Sequence, residues 1–197
     1  MRANAIILRM VFAAALVIRL GAPSHAQGAS FYVAHDPDAP TNQNLVGNPS
    51  FETDTSGWKP YPGSTTLIER VAGGQDGAFA LEVRGPATTT EFGINDSPNW
   101  VATTGAAGTR YRFSAWVRSA ASTGQARLRI REYNGGTQIG PTLRSAPVTL
   151  SPTWQMLTID LVAGAAGSNL DFQIIDYVPV TTGEVFQVDN ISIQIVP

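Results

Sequence analysis

The sequence predicts an all-β fold, an antiparallel two-sheet sandwich or jelly roll, and three observations carry that prediction. Short runs rich in Val, Ile, Phe, Tyr and Thr recur along residues 44–196 between clusters of Gly, Pro, Ser and Asn. Several of these runs alternate apolar and polar residues with a period of two, as a strand with one face in a core and one in water requires. No stretch of the same region reads as a helix.

The chain opens with a segment that reads as a targeting signal. Arg2 and Arg9 give a basic start, Met10 to Ile18 is apolar, and Pro23-Ser24-His25-Ala26 ends in small residues suited to cleavage after Ala26. Arg19 interrupts the apolar run before it reaches the roughly 20 residues a membrane-spanning helix needs. The expectation is a secreted protein, extracellular or periplasmic, without residues 1–26 and without stable membrane insertion. Residues 27–43, with Asp36-Pro37-Asp38-Ala39-Pro40, read as an exposed leader or linker, and residues 44–197 as one domain.

Within that domain the expected strands run from Thr65 to Val71, Phe79 to Arg84, Arg110 to Arg118, Ala126 to Tyr133, Met156 to Val162, Leu170 to Tyr177 and Val185 to Ile195. Alternation sorts their side chains. Tyr111, Phe113, Ala115 and Val117 share one face of their strand, leaving Arg112, Ser114, Trp116 and Arg118 on the other. Leu128 and Ile130 point inward, with Arg127, Arg129, Arg131 and Tyr133 outward. Phe172 and Ile174 oppose Asp171 and Gln173, and Ile191, Ile193 and Ile195 oppose Ser192 and Gln194.

Composition removes several function classes. Loss of residues 1–26 takes away three arginines and no acid, moving the formal charge from −2 to −5. So acidic a chain is unsuited to general nucleic-acid binding, which needs Lys and Arg to neutralise phosphates. The chain has 0 Cys, and His35 is the sole histidine after residue 26. No Ser-His-Asp or Cys-His constellation and no histidine-based zinc site can be assembled from that inventory. Glu132, Asp160, Asp171 and Asp176 are outward or strand-borne acids, but no motif selects two of them as the carboxylate pair a glycosidase requires. Catalysis is therefore not expected, and a small glycosidase or lyase is the least favoured reading.

Asn44-Leu45-Val46-Gly47-Asn48-Pro49-Ser50-Phe51-Glu52, followed by Gly57-Trp58, resembles the opening of the CenC-like carbohydrate-binding modules. The resemblance continues through Gly77-Ala78-Phe79-Ala80-Leu81-Glu82-Val83 and Tyr111-Arg112-Phe113-Ser114-Ala115-Trp116-Val117-Arg118, and closes with Val188-Asp189-Asn190-Ile191-Ser192-Ile193. It implies a galactose-binding-domain-like sandwich and a polysaccharide or glycan ligand. It also implies a structural calcium ion near the junction of first and last strands, with Glu52 and Asp189 as matching carboxylates and Asp76 of the Gly73–Gly77 loop nearby. The alternative for those acids is hydrogen bonding to loop backbone.

Glycan recognition combines flat rings against the C–H face of a sugar with planar polar groups on its hydroxyls. Trp116 and Tyr133 are the expected rings, and Arg118, Arg129, Arg131 and Gln173 the expected polar partners, on the assumption that the two arginine-bearing strands form a hairpin. Trp100, beside the Asn95–Asn99 loop, is a further expected contact. Arg127, Arg129 and Arg131 make an acidic glycan worth testing; the alternative is cross-strand pairing with Asp160, Asp171 or Glu132. A structural or adhesive surface module without sugar binding is the competing function, and a catalytic partner on a separate chain is the expected associate of a targeting module.

Overall fold

The computed structural model describes residues 43–63, 65–86, 90–120, 124–177 and 184–197. The expected signal peptide and all but the last residue of the expected leader lie outside them. Every regular element among the described residues is a strand. The eleven strands are β1 (Trp58–Tyr61), β2 (Leu67–Ala72), β3 (Phe79–Arg84), β4 (Glu91–Asp96), β5 (Arg110–Arg118), β6 (Gln125–Asn134), β7 (Thr137–Arg144), β8 (Val148–Thr149), β9 (Gln155–Val162), β10 (Asn169–Tyr177) and β11 (Val185–Val196).

They form two antiparallel sheets. The first runs β1-β4-β10-β6-β7, with β8 also on β6; the second runs β2-β3-β11-β5-β9. The inner faces supply a single core in which Phe51, Phe92, Phe113, Phe172 and Phe186 are fully buried among Leu, Ile and Val. Phe113 of the second sheet meets Phe172 of the first at 5.0 Å between ring centroids, so the sheets are locked by aromatic contact across the interior.

The seven expected strands are all present within one or two residues of their expected limits. The hairpin assumption is overturned. β5 pairs with β11 and β9, whereas β6 pairs with β10, β7 and β8. β5 thus ends at Arg118 in the second sheet and β6 begins at Gln125 in the first. Trp116 and Arg118 are consequently on the opposite side of the molecule from Arg129, Arg131, Tyr133 and Gln173.

Strands β1, β4, β7 and β8 were not expected from the sequence. β4 contains Gly93, whose added Cβ would lie 2.0 Å from the Ile174 carbonyl oxygen. Only glycine lets β10 approach there, so close backbone packing has replaced the β-branched residue a strand pattern would show. β7 bulges at Gly140-Pro141, between the Ile130–Leu143 and Glu132–Ile139 pairs.

Candidate functional site

Alternation along the first sheet sends one set of residues away from the core. Strand register then lines them up across the sheet as a row, Lys59–Asn95–Gln173–Arg129–Arg144. Beside it lies a second row, Tyr61–Gly93–Ile175–Arg127, and next Glu91–Tyr177–Gln125. On the other side are Asp171 with Arg131, then Asn169 with Tyr133 and Gln138. With strands about 4.8 Å apart, the five-strand row is roughly 19 Å long.

Two polar residues of this face are almost out of contact with water. Arg129 and Gln173 are each only 4 % exposed, although neither faces the core. The surrounding side chains account for it. Arg129 donates through Nε to Gln173 Oε1 at 2.5 Å and through Nη1 to Glu91 Oε1 at 2.6 Å. Its guanidinium carbon lies 4.9 Å from the Tyr61 ring centre, and the Tyr61 hydroxyl donates to the same Glu91 oxygen at 3.0 Å. Arg127 lies 3.7 Å from the Tyr177 ring centre and 3.8 Å from Glu91 Oε2. Tyr177 in turn donates its hydroxyl to Gln125 at 3.1 Å.

The electrostatics follow from this packing. Burial acts to raise the Glu91 pKa, but the Arg129 hydrogen bond and charge, the Tyr61 hydroxyl and the Arg127 charge together bring it below the ordinary value. Burial acts to lower Arg129, and Glu91 with Tyr61 more than compensates, so its guanidinium stays charged. Three polar atoms of the face remain buried without a partner among the described residues: Asn95 Oδ1, Arg127 Nε and Arg129 Nη2. An ordered face of rings, amides and guanidinium groups with unmet hydrogen-bonding capacity has the chemical makeup of a sugar-binding surface.

A family model described as a carbohydrate binding domain matches residues 43–176. The chain belongs to this carbohydrate-binding family. No curated protein matches the chain by sequence. Solved structures share its fold. One contains the CBM22-1 and GH10 modules of a Clostridium thermocellum endo-1,4-beta-D-xylanase complexed with xylohexaose, at 18 % identity and a TM-score of 0.59 over 76 % of this chain and 28 % of that one. The CBM22-1 xylan-binding domain of Paenibacillus barcinonensis Xyn10C is 17 % identical, with a TM-score of 0.54 over 78 % of this chain and 95 % of that domain. TmCBM61 in complex with beta-1,4-galactotriose is 14 % identical, with a TM-score of 0.55 over 78 % and 99 %. The chain thus spans about a quarter of the xylanase structure but nearly all of each isolated module.

In this carbohydrate-binding domain the sequence-expected site residues separate into three places. Arg129, Arg131, Tyr133 and Gln173 share the outer face of the first sheet, where Tyr61, Glu91, Asn95, Arg127 and Tyr177 join them. Trp116 and Arg118 stand on the outer face of the second sheet. There Arg118 donates to Gln187 at 2.8 Å and to the Gly73 carbonyl at 2.7 Å, and lies 4.4 Å from the Trp154 ring centre. Trp100 packs on the core instead of lining a rim. It lies 6.0 Å from Trp58, over Gly47 and Gly57, where an added Cβ would come within 2.8 and 2.2 Å of its ring. Its backbone N–H is held by buried Asp96, which also accepts from Phe172 N–H. Tyr61 and Glu91 could not be found from the sequence because β1 and β4 were not recognised as strands.

The expected metal ligands meet around one loop. Both Glu52 oxygens accept from Ala78 N–H, and Oε1 also from Phe79 N–H; Asp189 Oδ2 accepts from Gln75 N–H at 2.5 Å and Asp76 N–H at 2.8 Å. The two carboxylates therefore hold opposite ends of the same loop, joining the N-terminal segment to β11. Asp189 Oδ1 is buried without a partner among the described residues, and burial raises the Asp189 pKa. That oxygen suits a hard cation, although Asp76 is exposed and no group of three or more His, Asp or Glu able to hold a metal is present among the described residues.

Proposed function

We propose that the domain binds polysaccharide on the outer face of the β1-β4-β10-β6-β7 sheet. One observation carries the proposal: Arg129 and Gln173 are buried on an outward surface, with the Tyr61 ring against Arg129 and the Tyr177 ring against neighbouring Arg127. The xylohexaose, xylan and beta-1,4-galactotriose named for the structural neighbours support a glycan in this role.

The face supports binding without hydrolysis. Its two acids, Glu91 and Asp171, lie six residues apart in register along the strand direction, since Glu91 pairs with Tyr177. That is roughly 20 Å at 3.3 Å per residue, well beyond the 5–10 Å between paired glycosidase carboxylates. Affinity electrophoresis in gels carrying xylan, galactan and uronate polymers tests the reading. Tyr177→Ala and Tyr61→Ala should abolish retardation, while Trp116→Ala on the other sheet should leave it intact. Dependence on Trp116 with indifference to Tyr61 and Tyr177 would defeat the assignment.

Three further expectations belong to the same reading. Export follows from the signal-like residues 1–26, and N-terminal sequencing of secreted material should begin at Gln27. A calcium ion at Asp189 Oδ1, with loop oxygens completing its shell, would fasten the loop to β11; EDTA should lower the melting temperature and added calcium restore it. The module would place a separate catalytic chain on polymer, to be tested by co-retention of a glycosidase in the same gels.

A further inference from the structure

We infer that the ligand of this face is an anionic glycan whose sugars carry carboxylates, and that Arg131 and Arg144 form the carboxylate subsite. This rests on the reading that the first sheet binds polysaccharide. Charge is distributed unevenly over the described residues. Five of their ten Lys and Arg side chains stand on this face (Lys59, Arg127, Arg129, Arg131 and Arg144) against two of their thirteen acids, Glu91 and Asp171. The domain as a whole carries more acid than base, so the excess of cations here is local.

The arrangement is also self-repelling. Arg129 and Arg144 are direct cross-strand partners, and Arg127, Arg129 and Arg131 follow one another along one side of β6. Like charges directly opposite in a sheet oppose its formation. Glu91 is shared by Arg127 and Arg129, and Asp171 meets Arg131 at 3.3 Å. Arg144 and Lys59 have no acidic partner within 4.0 Å among the described residues. Arg127 Nε and Arg129 Nη2 add two buried donors without acceptors. Poorly screened by water, they strengthen the positive potential at the surface above them.

A carboxylate answers this demand in shape as well as charge. The planar guanidinium fork matches two carboxylate oxygens, and Tyr133 stands two residues from Arg131 on the same side of β6, placing an aromatic residue next to the sugar that bears them. Arg144 is exposed and Arg131 is half-buried, so both can reach a ligand without rearrangement of the buried Arg129–Glu91 pair.

Native gels carrying polygalacturonate, its methyl ester, alginate, its propylene glycol ester, dextran sulfate and neutral xylan test the inference on the whole chain. At least one free uronate polymer should retard the protein at about tenfold lower concentration than its own ester, and the preference should shrink near 0.5 M salt. Arg144→Gln and Arg131→Gln should each reduce that preference for polymer over ester severalfold, leaving the melting temperature unchanged. Equal retention by polymer and ester overturns the inference, as does dextran sulfate matching the uronates. Retention by xylan alone, lost in Tyr177→Ala, overturns it while sustaining the polysaccharide reading; retention by no polymer defeats both.

Discussion

The two outer faces of the sandwich use the same residue types to different ends. On the first sheet five cations face two acids, and the central guanidinium is buried. On the second, Arg84, Arg110, Arg112 and Arg118 stand with Glu69, Glu82, Asp160 and Asp189, a balanced set. There Arg112 meets Asp160 through two hydrogen bonds at 2.8 and 2.9 Å, and Arg84 meets Glu82 at 2.9 Å. Two of the four arginines of the second face meet an acid directly and its charges are equal in number, whereas the first face carries a surplus of cations with unmet donors. The contrast teaches that an outward arginine signals function only when its surroundings fail to neutralise it.

Removing one arginine from each face should expose the difference. Arg129→Met removes the nearest charge partner of Glu91 and leaves the longer Arg127 contact, in a site where breaking a buried pair typically costs ~3–5 kcal/mol. Glu91 keeps part of its hydration, so a loss of about 3 kcal/mol is expected, or roughly 6–12 °C in melting temperature. Arg129→Met with Glu91→Leu should recover most of it. Arg118→Met forfeits two hydrogen bonds and a ring contact at a half-exposed position, for a smaller loss of about 1 kcal/mol. Calorimetric scans of the three variants decide it; equal losses from Arg129→Met and Arg118→Met would erase the energetic distinction between faces.

pH separates the outward network from the buried acids beneath it. Glu91 titrates below its ordinary value in the folded chain, so its contribution is present above about pH 4.5 and is lost as pH falls through the lowered folded value. Asp96 runs the other way. Burial raises its pKa despite the N–H groups of Phe172 and Trp100, so its neutral form adds stability below pH 3.8 that disappears as pH rises through the raised value. Thermal stability should therefore peak at mildly acid pH and fall on either side. Glu91→Gln should flatten the acidic limb and leave the limb on the neutral side unchanged.

Much of the fold was legible in the sequence because alternation is a local property. The pattern in Arg110–Arg118 and Leu170–Tyr177 specifies which side chains enter the core without reference to any other strand. The site was only half legible. Arg129, Arg131, Tyr133 and Gln173 follow from their own strands, but their companions Tyr61 and Glu91 lie on β1 and β4. Pro60 and Gly93 obscure the strand character of those two segments. Trp116 separates from the β6 residues for a different reason. Nothing in the residues of β5 and β6 states whether the connection between them stays in one sheet, since sheet membership depends on partners distant in sequence. Trp100 likewise shows its packing role only once Gly47 and Gly57 are seen beneath its ring.

The smallest expected effect tests the premise of the comparison most directly. Arg112 and Asp160 form a bidentate pair of good geometry, and the Arg112 hydrogen bond is the largest influence holding Asp160 below its ordinary pKa. Geometry alone would therefore rank this pair beside Arg129–Glu91. Exposure reverses the ranking, because water solvates both partners when they separate and screens them when they meet. Arg112→Gln should leave the melting temperature within experimental scatter and should not alter retention in any polysaccharide gel. A drop comparable to that of Arg129→Met would mean that pairing geometry, and not burial, sets the worth of these arginines. The case for a functional first face would then rest on its surplus of cations alone.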